Sequence, residues 1–371
     1  MARVARVLIA AGGTAGHVVP AMAVAEELRA SGAAVTFIGA RGRVEAELVP
    51  AAGYEIDFLR VRGIDRRNPL KAARAVAEAA GAIGAARRIL RRRRADVVMG
   101  GGGFVAGPVG LAAALTRTPM VLTEADSHLG LANRLLAGRA RRVCLAFPIE
   151  GREGDPYLVT GRPVPKAVLR ADREAARARF GIDPDARCLL VVGGSQGARS
   201  VNLAAIEAFA EQGVPGGRGE VGPRDFHVLH LTGPRDFAEL ERRLAAAPRR
   251  DRYLLVAYEP DLGDALAAAD LVLGRSGGSI FEVAAAGRPA ILVPYPHATA
   301  DHQSGNAAWM ERAGAARVIP DVDLSADRLA REVAELLGDG TRLEAMAAAA
   351  RGLAKPDAAR RIADEVLEAA R

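Results

Sequence analysis

The sequence predicts an α/β protein of two Rossmann-like, doubly wound parallel-sheet domains facing each other across a cleft, and three observations carry that expectation. At 371 residues the chain is longer than one hydrophobic core usually serves. Its plan is written twice. "VLIAAGGTAGH" (7–17) and "LLVVGGSQGAR" (189–199) share an apolar strand, two glycines, a hydroxyl residue, one further residue, a glycine and a helix start, with Gly12 and Gly193 standing 181 positions apart. Later in each half, "ADVVMGGGGFVAG" (95–107) and "ADLVLGRSGGSIFE" (269–282) again run from an apolar strand into glycines, and a strand opened by Pro119 or Pro289 follows. Short continuous apolar runs that alternate with helices mark parallel strands covered on both faces.

The elements follow in order from local pattern. After the first strand and its glycine turn, Ala21, Val24, Ala25 and Leu28 form an i, i+3, i+4, i+7 stripe, with Pro20 expected in the first helical turn, where no N–H is needed. A second strand, "VTFIG", ends in "ARGR". Residues 70–90 set Ala73, Val76, Ala77, Ala80 and Ile83 at helical spacing, and "RRILRRRR" (87–94) then packs six arginines into eight positions. Residues 97–116 carry no charge and are long enough to span a bilayer, but seven of them are Gly or Pro, so strand, loop and helix are expected there. The pattern breaks at "VTGRPVPK" (159–166), which divides the chain into domains 1–162 and 163–355 and leaves a final helix over 356–371, expected to pack back on the first domain.

Composition bounds the function. Half the residues are apolar and 26% charged, as in an ordinary globular protein. The apolar run after the basic start is too short for a secretory signal. Cys144 and Cys188 sit in apolar runs and are expected to be buried free thiols, which suits a reducing cytoplasm. The net charge of +7 is concentrated in the arginine run. Nucleic acid is not the expected partner, because that run lacks interleaved aromatics, zinc ligands or an RNA-binding signature. A helix followed by arginines suits an anionic membrane surface better, with a plain solvated helix as the alternative.

In open α/β sheets ligands sit beyond the carboxyl ends of the strands, where all four glycine turns fall. A glycine turn opening a helix presents unpaired N–H groups and the positive end of the helix dipole, which suits a phosphate; the alternative is glycine that only lets strand and helix pack closely. No GxxxxGK[ST] occurs, and the second strand ends in "ARGR" rather than the acidic residue a dinucleotide fold needs. HExxH and paired His/Cys clusters are absent from the sequence, so no protein-held metal or other cofactor is expected.

The motifs "GGTAGHVVPAMAVAEEL", "GGGFVAGPVGLAAAL", "GLANRLL", "GGSQGARSVN", "AADLVLGRSGGSIFEVAAAGRPAILVPYP" and "DHQSGNA" together resemble the MurG family of N-acetylglucosaminyltransferases, in the right order over nearly the whole chain. The resemblance implies the two-domain GT-B architecture and inverting transfer of N-acetylglucosamine from UDP-N-acetylglucosamine to the muramyl 4-hydroxyl of lipid I. That reaction gives lipid II for peptidoglycan synthesis, with the protein peripheral on the cytoplasmic face of the bacterial membrane. The alternative is another UDP-sugar transferase of the same architecture acting on a different lipid or natural-product acceptor.

Carried onto this chain, the resemblance implies a donor site in the C-terminal half. There Ser195, Gln196 and Gly197 would hold the diphosphate, Glu282 would take the ribose, Gln303 with Asn306 would lie at the sugar, Tyr258 and Glu259 in the loop over uracil, and Ser279 would also bind the donor. Thr14, Ala15, Gly16, Asp126 and Arg162 would reach the donor from the N-terminal half, where Gly102, Gly103 and Phe104 would meet the acceptor. His17 is the candidate base: the helix dipole disfavours imidazolium, and a neutral ring can take the acceptor hydroxyl proton, the alternative being a ring that only bonds the loop or diphosphate. The chain departs from the family pattern at Ala15, at "TEAD" with Asp126 where an amide is usual, at Pro165 where the family has arginine, and in a shorter run before Glu282. Arg162 is the expected replacement for the positive charge missing at Pro165.

Overall fold

Successive residues of the first strand enter two different cores. Val7 and Ile9 are buried on one side of the sheet and Leu8 and Ala10 on the other, which is the period-2 signature of a strand covered on both faces. The computed structural model describes residues 4–61, 69–194, 197–212, 226–298 and 301–371. The chain divides into two compact units, Met1–Pro165 with Lys355–Arg371, and Lys166–Ala354.

The first unit runs β1 (Arg6–Ala10), α1 (Ala15–Ala30), β2 (Ala34–Ala40), α2 (Glu45–Ala51), β3 (Glu55–Leu59), α3 (Pro69–Arg93), β4 (Val97–Gly100), α4 (Gly103–Thr116), β5 (Met120–Glu124), α5 (Leu131–Leu136), β6 (Arg142–Leu145) and β7 (Tyr157–Val159). All seven strands pair in parallel, in the order β3-β2-β1-β4-β5-β6-β7. The second unit runs α6 (Lys166–Arg170), α7 (Arg173–Phe180), β8 (Arg187–Val192), α8 (Arg199–Ile206), β9 (Phe226–Leu231), α9 (Phe237–Ala245), β10 (Tyr253–Val256), α10 (Leu262–Ala268), β11 (Leu271–Gly274), α11 (Ile280–Ala285), β12 (Ala290–Leu292), α12 (His302–Arg312), β13 (Ala316–Val318), α13 (Ala326–Gly338) and α14 (Gly340–Leu353). Its six strands are again parallel, ordered β10-β9-β8-β11-β12-β13. Two doubly wound α/β domains are therefore present.

The last helix, α15 (Ala358–Ala369), belongs to the first unit. Ala359, Ile362, Ala363 and Val366 share a core with Val24 and Leu28 of α1, and Arg142 Nε on β6 donates to Glu365 at 2.9 Å. The stretch 97–116 folds as β4, a glycine turn and α4, and no helix among the described residues is long and apolar enough to cross a membrane. Cys144 and Cys188 are free and buried, and burial pushes both thiols up to about 12.

One expectation about helices needs correction. α1 begins at Ala15, not near Pro20, because Thr14 takes an extended conformation and its carbonyl already accepts the N–H groups of His17 and Val18. Pro20 consequently lies inside the helix. In α3 the buried face is Ala82, Ala86, Ile89 and Leu90, while Ala80 is exposed and Ile83 only partly buried. The side chains of Ala73, Val76 and Ala77 lie outside the described ones.

Ile362 is 1% exposed and ties α15 to α1. Ile362→Ala is expected to cost about 2–4 kcal/mol of unfolding free energy, read from denaturant melts, through lost burial and an unfilled cavity.

Candidate active site

Sheet order reverses between β1 and β4 in the first unit and between β8 and β11 in the second. The four glycine turns follow these four strands, so each pair flanks a topological switch point, where crossover connections leave open space above the strand ends.

In the first unit the two turns touch backbone to backbone. Gly103 has φ +76, and a Cβ there would stand 2.0 Å from the Gly12 carbonyl oxygen. Gly13 lies against the Phe104 ring, and the Arg43 guanidinium stands 5.9 Å from the centre of that ring. A Cβ on Gly102, φ +93, would sit 2.5 Å from Cδ2 of His17, so the bare α-carbon makes room for the imidazole. His17 is the third residue of α1, half-buried, with Nδ1 3.1 Å from Thr14 Oγ1. The structure thus brings together Thr14, Ala15, Gly16, His17, Gly102, Gly103 and Phe104.

Two buried carboxylates hold this region. Glu45, fully buried at the start of α2, accepts the N–H groups of Gly13 at 3.0 Å and Ala40 at 2.9 Å. Glu124, at the end of β5, accepts from Gly130 N at 2.8 Å, Asn133 Nδ2 at 2.9 Å and Asp126 N at 3.2 Å. Burial raises the Glu124 pKa above the usual carboxylate range, against the pull of those donors. The loop carrying Asp126 is therefore folded around Glu124. Arg162, 8% exposed, donates from Nη2 to the Gly16 carbonyl at 2.5 Å and from Nη1 to the Ala125 carbonyl at 3.4 Å.

In the second unit the turn after β8 closes with Gly197 N donating to the Gly194 carbonyl at 3.0 Å. Ser195 and Gln196 lie outside the described residues. A Cβ on Gly197, φ +78, would meet the Thr232 carbonyl oxygen at 2.4 Å, so this turn also rests on backbone. Behind it Asn202 Nδ2 donates to Thr232 O at 2.9 Å and to Asp236 Oδ2 at 2.8 Å. Those two acceptors fix the amide, so Asn202 Oδ1 must accept from His230 Nε2, 3.0 Å away, and His230 Nδ1 accepts the Tyr253 hydroxyl at 2.8 Å. Full burial pushes the His230 pKa down to about 3 and keeps the ring neutral.

The turn after β11 is tied to α12. Ser276 Oγ donates to the Gln303 carbonyl at 2.7 Å, and Asn306 Nδ2 donates to the Ser276 carbonyl at 2.9 Å. Asn306 is 2% exposed, with Oδ1 buried and unpartnered, so it sits behind the turn. Gln303 Oε1 accepts the Tyr295 N–H at 2.9 Å, which aims its amide nitrogen toward Gly277. Ser279 is the N-cap of α11 and Glu282 lies half-buried in its first turn. Glu259 is committed to Arg179 Nη2 at 2.6 Å and Asp261 N at 2.9 Å, whereas Tyr258 is 52% exposed.

Sequence reasoning missed Glu45, Glu124, Asn202 and His230. Single polar residues at the ends of apolar strands or in first helical turns were the available signal, and it does not say which backbone group each one meets. No group of three or more His, Cys, Asp or Glu among the described residues is placed to hold a metal ion.

Comparison with known proteins follows the same lines. The N-terminal domain of glycosyltransferase family 28 matches residues 7–145 and the C-terminal domain of that family matches residues 188–362. A protein of Moorella thermoacetica named UDP-N-acetylglucosamine–N-acetylmuramyl-(pentapeptide) pyrophosphoryl-undecaprenol N-acetylglucosamine transferase is 42% identical over 374 residues, covering 98% of both chains. The protein of that name from Methylococcus capsulatus is 41% identical over 369 residues, covering 98% of this chain and 99% of its own. The crystal structure of MurG from Acinetobacter baumannii matches with a TM-score of 0.74 at 26% identity, over 99% of this chain and 100% of that one.

Glu45→Ala would leave the Gly13 and Ala40 N–H groups without their acceptor, and an expected loss of about 1–3 kcal/mol is measurable by denaturant unfolding. His230 gives a pH signature. Its folded pKa lies below the unfolded value of 6.5, so the unfolded chain binds the extra proton and stability falls as pH drops from 6.5 toward 3. The slope is at most about 1.4 kcal/mol per pH unit. His230→Gln is expected to flatten that loss between pH 6 and 4 in urea melts.

Proposed function

The chain belongs to the MurG family within glycosyltransferase family 28, and on that premise we propose that it transfers N-acetylglucosamine from UDP-N-acetylglucosamine to the muramyl 4-hydroxyl of undecaprenyl-linked lipid I, giving lipid II for peptidoglycan synthesis. The observation that carries this reading is identity of about 40% along 98% of the chain to relatives named for that transfer.

The donor is assigned to the second unit. Its diphosphate meets the turn of Ser195, Gln196 and Gly197 that leads into α8, whose helix dipole favours negative charge. Glu282 and Ser279 take the ribose hydroxyls, a carboxylate being able to accept two of them at once. Gln303 meets the sugar with an amide whose orientation Tyr295 N–H sets, and Asn306 supports the turn from behind. The loop of Tyr258 and Glu259 covers uracil through its backbone, in keeping with a Glu259 carboxylate already bound to Arg179.

The acceptor is assigned to the first unit, near Gly102, Gly103 and Phe104. His17 is the base. In the tautomer protonated on Nδ1 it donates to Thr14 Oγ1, which orients the ring and leaves the Nε2 lone pair beside Gly102. That lone pair takes the proton of the muramyl 4-hydroxyl while the oxygen attacks the anomeric carbon from the face opposite the departing UDP, so configuration inverts.

The protein works at the cytoplasmic face of the membrane as a peripheral protein. Arg88 and Arg91 of α3 are exposed or partly so, and Leu111 and Leu115, one turn apart on α4, are exposed together with Leu131 and Leu135 on α5. Cations beside exposed leucines suit anionic headgroups over acyl chains. Not all of the arginine run is available for this, because Arg92 and Arg93 bond Asp57 of β3.

The test supplies UDP-N-acetylglucosamine, UDP-glucose or UDP-N-acetylgalactosamine with a short-chain lipid I analogue. Release of UDP with a β-1,4 disaccharide from the first donor is expected; binding without transfer would replace the enzyme by a nucleotide-sugar sensor. His17→Ala is expected to lower kcat by about 10²–10⁴-fold with donor KM nearly unchanged.

A further inference from the structure

We infer that Arg162 is a positioning residue of the transfer reaction: its guanidinium takes the carbonyl that Pro20 leaves without a helix partner, and so sets the first turn of α1 that carries His17. The inference rests on the role given to His17 above.

In an α-helix the N–H of residue 20 would bond the carbonyl of residue 16, and Pro20 has no N–H to give. The pyrrolidine ring also crowds that carbonyl and tilts it off the helix axis. The orphan is therefore the carbonyl of Gly16, the residue immediately before His17. Arg162 Nη2 lies 2.5 Å from it. The same guanidinium reaches the Ala125 carbonyl through Nη1, so one rigid fork joins the first turn of α1 to the loop that holds Asp126. Arg162 stands on the extended segment after β7, beside Gly161, whose φ of +84 brings the backbone onto Lys355 at the foot of α15. The fork is thus anchored by the fold at its own end. Arg162, Gly16, Pro20 and Ala125 also line one small cavity, which places the guanidinium and the two carbonyls it meets around a common space.

A diphosphate ligand at this position and a clamp on a carbonyl make opposite predictions, because only the clamp depends on residue 20. The Pro20→Ala substitution would restore an N–H to bond Gly16 O, making Arg162 dispensable. The experiment compares wild type, Pro20→Ala, Arg162→Ala and the double variant, measuring kcat, donor KM and thermal unfolding. Arg162→Ala is expected to lower kcat at least about tenfold with donor KM within about twofold, and in the Pro20→Ala background the loss should shrink to about threefold or less. Equal losses in both backgrounds, or a raised donor KM with kcat intact, would overturn the inference. If wild type transfers no sugar, the function reading fails, and the thermal cycle still decides this one. A drop in Tm from Arg162→Ala that Pro20→Ala lessens supports the clamp, and an undiminished drop rejects it.

Discussion

The structure of the first unit depends on the approach of two backbones, the Gly12 carbonyl against the α-carbon of Gly103, at a distance no Cβ could occupy. Everything that gives the turn its chemistry follows from it. With the turns that close, Phe104 packs on Gly13 and the ring of His17 fits over Gly102. The contact uses up glycine backbone freedom, and glycine is the residue that loses most of it on folding. Glu45 offsets that loss by holding the Gly13 N–H from a buried position, leaving the turn ordered.

The second unit meets the same constraint with different chemistry. Gly197 rests on the Thr232 carbonyl and Gly274 on the Val192 carbonyl, again too close for a side chain. The anchor behind that turn is a relay from Tyr253 through His230 and Asn202 to Thr232 and Asp236, in which the ring and the amide are both uncharged. Asp236 adds its charge only at the outer end, where Arg199 meets it. A turn assigned to a diphosphate is thereby supported without a carboxylate directly beneath it, which avoids repelling the ligand.

What the sequence made legible was local. Strand runs, glycine turns and the α1 stripe need only neighbours within a few residues, and Ala21, Val24, Ala25 and Leu28 are all buried. The unread features join residues far apart in the chain. Glu45 meets Gly13 across 32 positions, His230 meets Asn202 across 28, and Arg162 meets Gly16 across 146. Pro20 was misplaced for the same reason: the preference for proline in a first turn is a local rule, and Arg162 compensates for its violation.

The chain's two cysteines fall one to each unit, Cys144 on β6 and Cys188 on β8, both sealed and both too weakly acidic to form thiolate at neutral pH. A thiol reagent therefore finds nothing to attack until a sheet opens. Nature has supplied this protein with an untagged reporter in either half, so alkylation followed by peptide mapping could clock the opening of each half separately, with no engineered label.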